Sequence, residues 1–400
     1  MTQASDTGGA SDDSLNVVIC GGGRTGHLNA ILFKQLPGVR VSMLTQSEAL
    51  IASHREGRTL AALLPDGEAL QARLDAVSRH AGEVMKNADM VIITVPAQAR
   101  PELLQTIAAA LPADKPVHVG AIPGFCGFDW LAEKALADRP NAVIWGMKDV
   151  PHTAFDLKPG ISVRMGGAKS RLYAAAHRRE SAAARTALLA HLQRLYAAPV
   201  ELLDDYLEIT LTPGNPIMHP SVVYGLIGPY GQWQGRPLPA RLCWWTDCPE
   251  LGAYFLERCD EESQRLCRTL EDRLGIDLSS VKPLKQEIIE AYQDQIRDQA
   301  TMLGVLRTNS AYEGIEAPLV PAEGGAGYLI DRRSRAFHED VAYGLALLVG
   351  MARRLQVAAP HLEEIFDWHV GYMGGLRASA LDYLPPAWPE SNLIRMNCKS

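Results

Sequence analysis

The stretch Asn16-Val-Val-Ile-Cys20-Gly21-Gly22-Gly23-Arg24-Thr25-Gly26-His27 decides the fold. It opens with a short run dominated by β-branched apolar residues, the pattern of a strand buried on both faces of a parallel sheet. Gly21-x-Gly23-x-x-Gly26 follows at once, and a helical stretch runs from His27 to about Gln35. Glycines at those positions permit a tight turn and let the backbone close on a pyrophosphate. The next helix then points its free N–H groups and positive end at the same place. The spacing alone is a weak signal. A strand before it and a helix after it make it the fingerprint of a dinucleotide cradle.

Working outward, further strands are expected at 39–44, 90–95, 116–121 and 142–146, with a helix at 101–111. Strand and helix alternate, which predicts a doubly wound, mostly parallel α/β sheet, a Rossmann domain over residues 15–205. The runs 160–165 and 199–203 are expected to complete it. After about residue 206 long helical stretches take over, at 249–275, 283–306 and 338–355, separated by Pro/Gly clusters at 228–239 and 318–327. Residues 206–400 therefore read as a mostly α-helical C-terminal domain. Residues 1–14 are small, polar and acidic, and are expected to form a disordered tail.

Composition narrows the function classes. The 400 residues are 47% hydrophobic and 21% charged, with a net charge of −7 and no long basic run, which speaks against nucleic acid as a partner. No uncharged apolar stretch is long enough to span a bilayer, and the start of the chain lacks the pattern of a signal peptide. The seven cysteines have irregular spacings without a zinc pattern. They read as free thiols in a reducing cytoplasm, with no metal site.

The cradle assigns Gly21, Gly23, Arg24, Thr25 and Gly26 to the cofactor. Thr45 follows the second strand, and Thr94 and Pro96 lie at the end of the third, at the sheet edge where ligands bind. An acid at the end of the second strand would hold the ribose hydroxyls of NAD, but Thr45-Gln46-Ser47 stand there. Arg24, Arg55 and Arg58 either meet a 2′-phosphate or lie in solvent, so NADH and NADPH both fit.

Two clusters in the second half bear chemistry. Asn215-Pro-Ile-Met-His219-Pro220 opens a helical stretch. Proline suits the first helical position, which predicts His219 at or near the N-cap, able to exchange protons near neutral pH or simply to cap. Arg335-Ala-Phe-His-Glu339-Asp340 precedes the apolar run from Val341. Acids in a first helical turn are expected in any case. Arg335 is a surface charge or a bidentate carboxylate clamp.

These clusters belong to a wider pattern. GGGRTGH, VIITVPAQA (91–99), NPIMHPSVVYG (215–225), GQWQGRPLP (231–239), TNSAYEGIEAP (308–318) and RAFHEDV (335–341) together resemble the octopine/nopaline (opine) dehydrogenase family over nearly the whole chain. The glycine loop is generic, whereas Met-His-Pro followed by Arg-x-x-x-Glu-Asp is specific. The resemblance implies reductive condensation of an amino acid with an α-keto acid, often pyruvate, using NAD(P)H. It implies His219 as the catalytic base, Asp340 as the group that orients it, and Arg335 as the substrate clamp.

Two places depart from the octopine-forming members. Phe125 stands where they carry a polar residue. Lys148-Asp149 stand where they carry Glu-Thr. All three are expected on substrate-facing loops, so octopine itself is the product in doubt. A homodimer is the candidate assembly. The competing readings are a ketone reductase of the ketopantoate or glycerol-3-phosphate type and a protein that binds NAD(P)H without turnover. The first relies on a lysine that neither the His219 nor the Arg335 motif contains, and a complete His–Arg–Asp set argues against the second.

Overall fold

The computed structural model describes residues 14–212, 214–231 and 235–389. Residues 1–13 of the expected tail and Gln232-Trp233-Gln234 of the GQWQGRPLP stretch lie outside the described residues.

The strands of the first half are β1 (Leu15–Cys20), β2 (Val39–Leu44), β3 (Leu60–Leu63), β4 (Ala69–Ala72), β5 (Ala76–Ser78), β6 (Met90–Ile93), β7 (Val117–Ala121), β8 (Ala142–Met147), β9 (His152–Lys158), β10 (Ser162–Ala168), β11 (Leu172–Ala176) and β12 (Val200–Leu202). Eight of them form one sheet in the order β12-β11-β8-β7-β6-β1-β2-β5. β1 is central because all its residues except Asn16 are buried. It pairs in parallel with β2 and β6. The order reverses at β1, and that is where an open α/β sheet offers its ligand crevice. The main sheet is parallel except where β11 runs against β8.

β10 is a strand of this half, as expected, but stands outside the main sheet. It joins β9, β3 and β4 in a separate four-stranded sheet. The reason lies in its pattern: β9 and β10 alternate between covered and exposed residues. Strands of that kind suit a sheet with one wet face, not one covered on both sides. The small sheet caps α1 (Arg24–Phe33), and the Gly160 N–H donates to His27 Nε2 at 3.1 Å.

The second half is helical, with two departures from the expected spans. The stretch 283–306 breaks into helices Leu284–Tyr292 and Met302–Thr308. Gln293 turns the chain with a φ of 45°, and the Thr301 side chain caps the second helix by accepting from Gly304 N–H at 3.0 Å. The stretch 338–355 begins earlier, as a π-helix over Ala336–Leu345 that continues as the α-helix Ala346–Leu355.

One hydrophobic core covers a sheet face with Ile31, Phe33, Leu188 and Leu192. The other runs without a break from Val91 and Phe128 through Tyr206 and Ile209 to Val222, Leu256 and Leu347. The helical half is therefore packed onto the sheet through shared apolar burial, which fixes its side chains against the sheet edge. Among the described residues no helix is long and apolar enough to cross a membrane.

Candidate active site

The glycine turn after β1 is built from close approaches. Gly21 has a φ of 124°, and a Cβ there would fall 2.6 Å from Thr94 Oγ1. A Cβ on Gly26 would fall 2.1 Å from the Gly21 carbonyl oxygen, so only glycine lets α1 start this close to the strand. Gly23 differs. A Cβ on it would meet nothing within 4 Å, so its bare backbone faces open space where a ligand can approach. Thr94 Oγ1 donates to the Cys20 carbonyl at 3.2 Å and braces the turn from β6.

His27, buried in α1, donates from Nδ1 to Gly23 O at 3.1 Å while Nε2 accepts from Gly160. Those two bonds define a neutral imidazole, and burial pushes its pKa down. Arg24 and Thr25 open α1 beside the turn, with Arg24 exposed.

A cavity of about 620 Å³ opens beside this turn, between Thr45, Gln46 and Ser47 after β2 and Val95, Glu102 and Thr106 across from them. Turn and cavity together suit a dinucleotide: a Gly23 open to approach, N–H groups at the start of α1, and a space lined from the ends of both β2 and β6. Arg79 also lines the cavity, and it is the one cation in its wall among the described residues. No sequence motif marks it. Arg55 and Arg58 line no part of this cavity, and Arg58 pairs with Glu56 at 2.6 Å.

From β6 the chain passes Thr94 and Pro96 into the helix Arg100–Ala110. Arg100 is buried and gives hydrogen bonds to Val95 O, Phe125 O and Pro123 O at 3.3, 3.0 and 3.0 Å. It ties the β6 loop to the β7 loop, a role no motif announced. Phe125 stacks on its guanidinium at 5.3 Å and lines a small cleft with Gly214 and Pro216.

His219 is not at an N-cap. Its helix spans Asn215–Ile227, with Gly214 as N-cap and Pro216 in the first turn. Pro216 already fills the early position that proline favours, so the helix starts before His219 and Pro220 falls inside it. The positive end of the helix is then more than one turn away, and its field does not govern the imidazole.

Packing fixes His219 instead. A Cβ on Gly225 would fall 2.3 Å from Gly252 N, and one on Gly344 would fall 2.4 Å from Pro216 Cβ. The His219 helix is thus clamped between the helix Glu250–Leu274 and the π-helix. This brings His219 Nδ1 to 2.8 Å from Asp340 Oδ2. Asp340 is buried, and among the described residues its Oδ1 has no hydrogen-bond donor. Trp244 and Trp245 lie against the imidazole, with ring centroids 4.5 and 5.3 Å away. No sequence motif pointed to this tryptophan wall.

Arg335 stands at the start of the π-helix, five residues before Asp340. An α-helix of 3.6 residues per turn would swing the two apart, whereas i→i+5 winding brings them toward one side. Arg335 is largely exposed, but its Nε and Nη2 both bond Glu339 Oε2, the former at 2.7 Å. Glu339 is buried, and its other oxygen accepts from Ala97 N–H at 2.8 Å. One carboxylate therefore joins the Arg335 fork to the loop after β6. In the sequence alone Glu339 is indistinguishable from an ordinary first-turn acid.

Lys148 and Asp149 follow β8 but reach away from the glycine turn. Lys148 Nζ donates to Ser280 O at 3.0 Å and lies 3.4 Å from Glu287 Oε1. Asp149 pairs with Lys169 at 2.6 Å. Both line a cavity of about 280 Å³ that shares no residue with the nucleotide-sized one.

Comparison with known proteins bears on the arrangement. Residues 202–373 match the family model described as NAD/NADP octopine/nopaline dehydrogenase, alpha-helical domain, and residues 16–143 match the NAD-dependent glycerol-3-phosphate dehydrogenase N-terminus. A tauropine dehydrogenase from Arabella iricolor is 26% identical, covering 90% of this chain and 91% of its own. The chain belongs to the octopine/nopaline dehydrogenase family. As a family member it is an NAD(P)-dependent oxidoreductase. The uncharacterized protein y4xO from Sinorhizobium fredii is 59% identical over 94% of this chain and 100% of that protein. An octopine dehydrogenase solved with NADH and L-arginine has the same fold, with a TM-score of 0.79 at 24% identity over 90% of each chain.

Proposed function

We propose that this family member is an opine dehydrogenase that joins the amine of an amino acid to an α-keto acid, with pyruvate the expected partner, and reduces the resulting imine. The observation that carries this reading is the His219–Asp340 pair, held at 2.8 Å by two tightly packed helices. A free amino acid is mostly ammonium at neutral pH and does not attack a ketone until it loses a proton. Asp340 holds Nδ1–H, so Nε2 is left to take that proton, and the buried carboxylate stabilises the imidazolium that results. The amine adds to the keto carbon and water leaves, giving the imine. NAD(P)H, when bound, would supply the hydride to the imine carbon, and the His219 imidazolium returns its proton to the nitrogen, giving a secondary amine.

Arg335 holds a substrate carboxylate in this scheme. Glu339 occupies its Nε and one Nη2 bond, so the clamp works from the Nη1 side of the fork. Because Glu339 also grips Ala97, the carboxylate site and the loop beside the nicotinamide are positioned together. Gly21, Gly23, Arg24, Thr25 and Gly26 cradle the cofactor, with Thr45, Thr94 and Pro96 along its path. Phe125 is the substrate-loop residue whose cleft borders the His219 helix. The cofactor unit spans residues 15–205 and the catalytic unit 206–400. A reducing cytoplasm is the proposed setting, in keeping with the free cysteines Cys20, Cys126, Cys243, Cys248, Cys259 and Cys267.

The test is NAD(P)H consumption with pyruvate alone and with pyruvate plus a panel of amino acids, followed by product mass. Turnover that needs both substrates supports the proposal. Turnover with the keto acid alone replaces it with simple ketone reduction, and cofactor binding without consumption replaces it with a non-catalytic role.

A further inference from the structure

The nucleotide-sized cavity has a chemically distinctive end. β2 stops at Leu44, paired with Ser78 of β5, and Thr45 N–H donates to Ser78 O at 3.0 Å. Arg79 is the next residue after Ser78, so the sheet register sets it beside Thr45-Gln46-Ser47. The end of β2 is where a dinucleotide fold receives the adenosine ribose. All three residues there are neutral. The carboxylate lining this cavity, Glu102, belongs to the facing helix Arg100–Ala110, across the cavity from β2.

Arg79 is held in place. Its neighbour His80 donates its N–H to Ser78 Oγ at 3.0 Å, and Ser78 Oγ donates to Glu83 Oε2 at 2.5 Å. The guanidinium itself pairs with Glu48, the first residue of α2 (Glu48–Arg55). Glu48 does not line the cavity, and its side chain is 75% exposed. An ion pair with so exposed a partner is weak and exchangeable. A phosphate at the ribose offers the same fork more charge and more acceptor oxygens.

We infer that Arg79 is the specificity-determining residue for the cofactor: it binds the 2′-phosphate of NADPH, exchanging Glu48 for it, and makes this family member prefer NADPH to NADH. The inference rests on the glycine turn being the dinucleotide cradle and deepens that assignment. NADH brings only a ribose hydroxyl to this corner, where the lining residues Thr45, Gln46 and Ser47 are neutral and the nearby Glu48 carboxylate is engaged by Arg79. Glu48 keeps Arg79 oriented until the phosphate arrives and competes with it once it does.

The experiment is calorimetric titration of the full chain with NADPH, NADH, 2′,5′-ADP and 5′-AMP, which reads binding without turnover. The expected result is about tenfold or greater preference for each 2′-phosphorylated compound, the scale of one charge-assisted contact. Arg79→Ala and Arg79→Gln should bring both ratios near one and leave NADH affinity unchanged. Glu48→Gln should widen them, an effect a merely structural Arg79–Glu48 pair would not produce. Equal or tighter binding of NADH by the wild type overturns the inference, as does an Arg79→Ala that weakens NADH and NADPH alike. If none of the four compounds binds, the cradle assignment falls and takes the inference with it. If NADH binds and the preference is absent, the cradle stands and Arg79 alone is wrong.

Discussion

His219 and Asp340 come from different helices, yet Nδ1 and Oδ2 sit 2.8 Å apart because Gly344 lets those helices close, while Gly225 seats the His219 helix against the helix Glu250–Leu274. The bond orients one ring nitrogen and leaves the other for a substrate proton. His219→Ala should lower turnover by about two to four orders of magnitude, the usual worth of a general acid–base group, with nucleotide affinity unchanged. Asp340→Asn should also be severely impaired, because its amide can present an N–H to Nδ1 and select the wrong tautomer. Steady-state kinetics beside nucleotide titration checks both. Near-full turnover of His219→Ala removes the mechanism.

Arg335 and Glu339 make the second prediction. Arg335→Ala should raise the Michaelis constant for the keto acid by about ten- to a hundredfold, the range for a hydrogen bond to a charged group. Arg335→Lys should rescue only part, since a point charge cannot supply a planar fork. Glu339→Gln keeps an acceptor for Ala97 but weakens the hold on Arg335, so it should move the same constant in the same direction by less. A kinetically silent Arg335→Ala returns the residue to an exposed surface charge.

Gly23 and Gly26 should separate binding from folding. Gly23→Asp places a carboxylate where nothing stands within 4 Å, so the chain should fold normally while losing about a hundredfold or more in NAD(P)H affinity. Gly26→Ala puts a Cβ 2.1 Å from Gly21 O and should lower thermal stability as well. Unchanged affinity in folded Gly23→Asp refutes the cradle.

These residues also mark how far the sequence could be read. The main sheet and the long helices were legible because buried strands and amphipathic helices leave local periodic patterns. The glycine turn was legible because its constraint is local too. The start of the His219 helix was misplaced because both Pro216 and Pro220 suit a first turn, and only packing chooses between them. The π-helix, the Trp244–Trp245 wall and the buried Arg100 depend on partners far away in sequence. Glu339 looked like a first-turn acid because its second partner, Ala97, is 242 residues away. Arg79 was hidden because β5 is three residues long and its neighbour β2 lies well upstream.

Asp260 gives a pH prediction independent of catalysis. It is buried in the helix Glu250–Leu274, and its Oδ2 accepts from Leu284 N–H at 2.9 Å. Burial first, then the nearby carboxylates of Glu287, Glu261 and Glu257, push its pKa up to about 7. The folded chain therefore keeps a proton that the unfolded chain releases near pH 4. Stability from this group is full below pH 4 and is lost as pH rises through 7. Asp260→Asn keeps an acceptor for Leu284 and has no charge to bury. It should melt higher than wild type at pH 8, by a few degrees, with the gap closing toward pH 5. A gap independent of pH would show that Asp260 does not titrate in this range.

Lys148 gives the last prediction. Its position after β8 suggested that it faces the amine substrate and repels a cationic one, which would make arginine a poor substrate and Lys148→Glu a switch. Its side chain is only 8% exposed and is spent on Ser280 O and Glu287, whose own side chain is 27% exposed. Burial raises the Glu287 pKa, and Lys148 is the main cation opposing that rise. Lys148→Glu would set two carboxylates face to face in a partly buried site. Breaking a fully buried pair costs roughly 3–5 kcal/mol, and the remaining exposure of Glu287 lowers the expected loss to about 1–3 kcal/mol. The variant should therefore melt several degrees lower, with Lys148→Met intermediate, while the ranking of arginine, alanine and glutamate by kcat/KM stays as in wild type. Melting curves and an amine panel on the three proteins decide it. If the ranking inverts while the melting temperature holds, Lys148 faces the substrate after all, and the charge reversal relative to octopine-forming members sets amine choice directly.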